Sequence, residues 1–139
     1  MQQQPSKAVN LLLWTAQILL GLLFALAGAM KATLPLDQLA QMMAWVPSFP
    51  PALVRFVGIS DFLGGIGLIL PAALRIRPQL TSWAAIGLSV IMVLAAALHA
   101  SRGEYAGIGV NAVFLLMLLF IAWGRMKIAP IQPKTAAAA

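Results

Sequence analysis

The stretch Val9–Met30 reads VNLLLWTAQILLGLLFALAGAM, and its only polar side chains are Asn10, Thr15 and Gln17. A helix of this length rises roughly 33 Å, enough to cross a hydrocarbon core of about 30 Å. Three more apolar runs follow. One covers about 51–70, opened by Pro50-Pro51 and closed by Pro71. Proline suits a first helical turn and obstructs a helix interior. The others cover about 80–98 and 105–124. The pattern predicts an all-α polytopic membrane protein, a four-transmembrane-helix bundle spanning 9–124. A short tail, 1–8, precedes it, and a tail, 125–139, follows. Pro130, Pro133 and Ala136 to Ala139 mark that second tail as disordered. Ala27-Gly28-Ala29 resembles a signal-peptide cleavage site, but the apolar run before it exceeds the usual h-region of about 7–15 residues.

Composition sets the same limits. Hydrophobic residues make up 62% of the 139 and charged residues 9%, against about 25% charged in soluble domains. The net charge is +6, yet the bases stand singly or in small groups between apolar runs. That argues against nucleic acid, which needs a clustered basic face, and for topology signals and anionic headgroups. With no cysteine and one histidine, His99, the chain holds no thiolate nucleophile, iron–sulfur cluster or Cys-based zinc site, and no bis-histidine haem of its own. No metal site, catalytic motif or dinucleotide fingerprint is legible, and no cofactor is expected in the chain itself.

Loop charge gives the orientation. With the N terminus inside, the cytoplasmic segments hold six bases (Lys7, Arg75, Arg77, Arg125, Lys127, Lys134) and no acid. The outer side holds three bases, Lys31, Arg55 and Arg102, with Asp37 and Glu104. The bias places both termini in the cytoplasm, in a multi-pass protein of a bacterial inner membrane. In the long connection 31–50, Leu36, Leu39, Ala40, Met43 and Val46 recur at helical spacing. They predict a short amphipathic helix on the outer membrane surface, with an irregular loop as the alternative.

Gly21, Ala25 and Gly28 form a small-residue stripe on the first helix, and Gly64 and Gly65 thin out the second. These are helix-packing positions, because small residues let backbones approach in lipid. Asp61 stands apart. It lies about 15 Å into the second span, where an ionisable group costs at least about 2.5 kcal/mol and is normally paired or turned inward. It is either a functional carboxyl or a polar tie between helices. Lys31, His99 and Asn111 share the outer half with it, predicting a polar pocket open to the outer face. The Lys31 stem could descend about 6 Å toward Asp61, with a water or Asn111 bridging the rest. Arg55 is read as snorkelling to headgroups, since six residues put it on a different face from Asp61.

The segments Gly21-Leu22-Leu23-Phe24 through Gly28-Ala29-Met30-Lys31, Gly58-Ile59-Ser60-Asp61, and Gly64-Gly65-Ile66-Gly67-Leu68 resemble the helix-one and helix-two patterns of the DoxX and DoxX-like membrane proteins. His99 and Asn111 match later positions, so the resemblance runs from about Leu11 to Trp123. The chain departs at Asp61, where the family more often has Glu. The resemblance implies a four-helix inner-membrane protein. Some such proteins are subunits of quinone-linked thiosulfate oxidation or partners in membrane oxidative-stress complexes. Three functions follow as expectations. The first is an accessory subunit binding a lipid, a quinone or a membrane or periplasmic partner subunit. The second is a quinone-linked oxidoreductase subunit, whose electrons would need a bound quinone or another subunit. The third is a small proton-coupled transporter working through Asp61.

The absence of cysteine makes the orientation directly testable. With single cysteines placed at Ser6, Ser101 or Thr135, an impermeant thiol reagent applied to intact cells, their outer membrane permeabilised, is expected to label position 101 alone. Labelling at 6 or 135 contradicts the orientation.

Overall fold

The structure, a computed structural model, describes residues 4–135. Five α-helices follow in order: α1 Lys7–Thr33, α2 Leu36–Met42, α3 Pro51–Leu74, α4 Gln79–Ser101 and α5 Tyr105–Trp123. A 3₁₀ turn, Val46–Ser48, precedes α3, and a π turn, Gly124–Ile128, prolongs α5. Four helices are long and apolar enough to span a membrane. Leu11, Leu22, Leu63, Leu94 and Leu116 are all more than half exposed along them. Soluble proteins do not leave such continuous apolar surface bare; hydrocarbon is the solvent these faces fit.

Helices α1, α3 and α4 exceed their predicted spans, while α5 keeps to its own. Ser6 caps α1, its Oγ accepting the Val9 N–H at 3.2 Å. Helix α3 runs a turn past Pro71, predicted to be its end, and stops at Arg75, whose φ of 57° is left-handed. Pro71 has no N–H for the Gly67 carbonyl; the local loss is tolerated because neighbouring turns and helices hold the axis.

Helix α1 packs along α3, α3 against α4, and α4 along α5, while α1 and α5 meet more sparingly. The α1–α3 seam is a close backbone contact. A Cβ at Gly65 would stand 2.5 Å from both Ala25 N and Gly21 O. One at Gly28 would overlap the Phe62 amide and lie 2.6 Å from Gly58 O. Gly64 faces the other way, onto Leu88 of α4. Between α1 and α5, longer groups fill the gap: Phe24 meets Phe114 edge-on at 5.9 Å, and Leu13 packs against Gly124. Leu20, Leu68, Ala85, Leu88, Leu118 and Ile121 complete a core to which all four long helices contribute.

The connection α1–α3 does contain a helix, but α2 spends its apolar side on the protein. Leu39 and Val46 are buried against Val54 in the first turn of α3, flanked by Trp45 and Phe49. A helix of seven residues is two turns long, and its few apolar residues cover the end of the bundle.

The C-terminal segment departs from its expectation. Residues 129–135 form no helix and are strapped to the α3–α4 turn: Lys134 N–H donates to Arg75 O at 3.0 Å, and Arg75 Nε donates to Gln132 O at 2.8 Å. Its prolines and alanines carry no periodicity, and order comes from docking on a turn that the sequence does not show as neighbouring. Ala136 to Ala139 lie outside the described residues.

The glycine seam has a measurable consequence. Gly28→Ala or Gly65→Ala pushes a methyl into opposing backbone, and overpacking of this kind costs about 1–3 kcal/mol. Both variants are expected to melt lower in detergent. Gly87→Ala, where a Cβ meets nothing within 4 Å, is expected to melt no lower than wild type. Equal melting temperatures for all three would contradict the seam.

Candidate functional site

The glycine contact aligns the end of α1 with the interior of α3. Gly58 abuts Lys31 and Ala32, and Asp61 follows one turn deeper on the same buried stripe of α3. Lys31 Nζ therefore meets Asp61 Oδ2 directly, as an ion pair with no bridging group. The Asp61 side chain is 1% exposed and that of Lys31 14%. Lys31 needs little descent, because the first two turns of α3 project beyond the α1 terminus and Asp61 lies beside its last turns.

Arg55 corrects the sequence reading. It does not bond Asp61, as its helix face required, but it does not snorkel either. Its Nη1 donates to Lys31 O at 2.7 Å and satisfies one of the terminal carbonyls that a helix end leaves open. Arg55 thus steadies the backbone from which Lys31 reaches Asp61.

His99 and Asn111 stand apart from this pair in their hydrogen bonding. His99 Nδ1 lies 2.6 Å from Glu104 Oε2, and its ring covers Gly107 at the start of α5. Glu104 Oε1 accepts from Arg102 Nε at 2.7 Å. Arg102 in turn donates to Ser48 Oγ at 2.8 Å and Ala44 O at 3.2 Å. This cluster ties the α4–α5 turn to the segment after α2. Asn111 is buried in α5, one turn past Gly107. Two buried polar atoms in this half lack a hydrogen-bond partner among the described residues: Asp61 Oδ1, an acceptor, and Asn111 Nδ2, a donor. Buried polar atoms are nearly always satisfied, so each such atom calls for an explanation.

A second polar cluster sits at the opposite end, built on a residue the sequence reading assigned to topology. Arg125 is 5% exposed. Its Nε donates to Gln17 Oε1 at 2.6 Å, and its Nη1 to Asn10 Oδ1 at 2.7 Å and Ala129 O at 3.1 Å. Gln17 Nε2 donates on to Leu68 O at 2.8 Å, and the guanidinium lies 5.2 Å from the centroid of Trp14. The signal for it was present. Leu118, Ile121 and Ala122 are buried at helical spacing, and Arg125 continues that stripe into the π turn. Gln17 likewise extends the Gly21, Phe24, Gly28 stripe of α1.

The loop cluster carries a pH dependence. The hydrogen bonds from Arg102 and then His99 hold the Glu104 carboxyl below its ordinary value of 4.5. A depressed carboxylate stabilises the fold above its ordinary pKa, and that contribution fades as pH falls through the lower folded value. The melting-temperature gap between wild type and Glu104→Gln is expected to close as pH drops below about 4.5. A gap independent of pH would show that ionised Glu104 is not what holds the turn.

Comparison with curated proteins and with solved structures gave no match. The model of the DoxX-like family matches residues 15–137, nearly the whole chain, including most of α1, the other three membrane-length helices, the glycine seam and the Lys31–Asp61 pair. The chain belongs to the DoxX-like family.

Proposed function

We propose that this protein is an accessory membrane subunit that binds an apolar molecule with a small hydrogen-bonding head, a quinone or a lipid, at the Lys31–Asp61 pair. The observation that carries this reading is Asp61 Oδ1, buried and without a donor, on a carboxylate whose other oxygen is held by Lys31. A hydroxyl or protonated head group supplies the donor this oxygen lacks. Asn111 Nδ2 offers a donor in the same half of the bundle for a carbonyl-type acceptor. The ion pair fixes the carboxylate while leaving one buried oxygen without a donor. The site faces the outer side of a bacterial inner membrane, with both termini cytoplasmic. The basic bias of the terminal end supports that orientation.

A single Asp61→Asn change confounds stability with binding, since breaking a buried ion pair from one side costs about 3–5 kcal/mol. The double variant Lys31→Gln, Asp61→Asn removes both charges and is expected to melt near wild type. A short-chain benzoquinone and a diacyl lipid serve as probes in detergent. At least one is expected to raise the melting temperature of wild type and to leave the double variant unmoved. A folded double variant stabilised as strongly as wild type, or a wild type moved by neither probe, would overturn the proposal.

A further inference from the structure

We infer that the end of the bundle holding both chain termini carries an anion site, in which Arg125 binds the phosphate oxygens of an anionic lipid under the C-terminal strap. This site is separate from the Lys31–Asp61 pair and does not depend on its role.

Charge is the first argument. Arg125 is buried, and the groups it directly contacts are neutral: two side-chain amides, one backbone carbonyl and the face of Trp14. An arginine is charged at any physiological pH, and burying a charge without a counter-ion is costly. The chain has three acidic side chains, Asp37, Asp61 and Glu104. None serves Arg125. Asp61 is held by Lys31, Glu104 by Arg102 and His99, and Asp37 lies in the first turn of α2. Snorkelling does not resolve the cost, because the guanidinium points into the bundle toward Gln17.

Geometry is the second. Arg125 Nη2 has no acceptor among the described residues, and Arg125 borders two cavities, one of about 490 Å³ and one of about 320 Å³. They lie on either side of Pro130 and Ile131 in the strap, which both share. Lys127 lines the larger and Arg75 the smaller. A guanidinium with an unpartnered N–H at a cavity wall, flanked by a further cation, is the donor set that binds phosphate oxygens.

Surroundings separate a lipid from a free ion. Trp83 and Met126 line the larger cavity, and both are at least half exposed on the surface that faces hydrocarbon. A phosphate held at Arg125 can therefore keep acyl chains against that surface, whereas a free phosphate leaves those walls unused. Basic pockets between membrane helices take anionic headgroups in this way.

The strongest variant is Asn10→Asp. Asn10 Oδ1 already accepts from Arg125 Nη1 at 2.7 Å, so this nearly isosteric change supplies the missing carboxylate from inside the chain. It also sits near the N-terminal end of α1, where an acid is favoured. Wild-type protein in detergent is expected to retain phosphatidylglycerol over phosphatidylcholine by about tenfold in native mass spectra, and to melt higher with phosphatidylglycerol added. Asn10→Asp is expected to melt at or above wild type and to lose the preference; Arg125→Gln is expected to lose it too. Stabilisation by millimolar inorganic phosphate equal to that by phosphatidylglycerol would overturn the lipid assignment. Equal retention of the two lipids by wild type, or an undiminished preference in folded Asn10→Asp, would overturn the site.

Discussion

The close approach of α1 and α3 is the constraint on which the rest of this structure depends. In hydrocarbon, apolar helices gain nothing by hiding from the solvent, so association rests on dispersion contacts and polar ties. Glycines at 21, 28, 58 and 65 remove the side chains that would hold the two backbones apart. The contact fixes the register between the helices, and the register decides which polar groups meet. At one end it sets Lys31 on Asp61. At the other it sets Gln17 against the Leu68 carbonyl. A shift by one residue would turn Asp61 away from the bundle interior, where the cost of its charge would go unrelieved.

The bundle has two polar ends with different chemistry. All three acidic side chains belong to the half containing α2 and the α4–α5 turn, and each lies in reach of a base or on the exposed face of α2. The terminal half has bases, amides and hydroxyls but no acidic side chain, and its most buried cation rests on neutral groups. One half thus balances its charge internally, while the other depends on what lies around it. Membrane physics permits this, because the lipid surface supplies negative charge at the interface.

Much of this was legible along the chain. Length and hydropathy were enough for four spans, since only the thickness of the hydrocarbon has to be matched. The glycine stripe on α1 was visible at spacings of three and four, and Asp61 was conspicuous because charge is rare in such a helix. What was missed has two causes: Arg125 was judged by its place along the chain rather than by its helical face, and the partner of Arg55 lies on another helix. Arg125 follows directly after an apolar run and so looked like a loop charge. Arg55 was placed on the correct face relative to Asp61, but the carbonyl end of α1 that it caps is invisible until the helices are packed.

The sequence by itself determined the solvent, the number of spans and the residues that could not remain bare in lipid. Those properties follow from local composition and from the 3.6-residue period. The tertiary structure alone decided the pairings: Lys31 directly on Asp61, His99 on Glu104, Arg125 between Asn10 and Gln17, and the strap 129–135 on Arg75. Each joins groups on different helices or across a turn. Their distances depend on interhelical register and on where a helix ends, and both are set by packing between segments that no local pattern records.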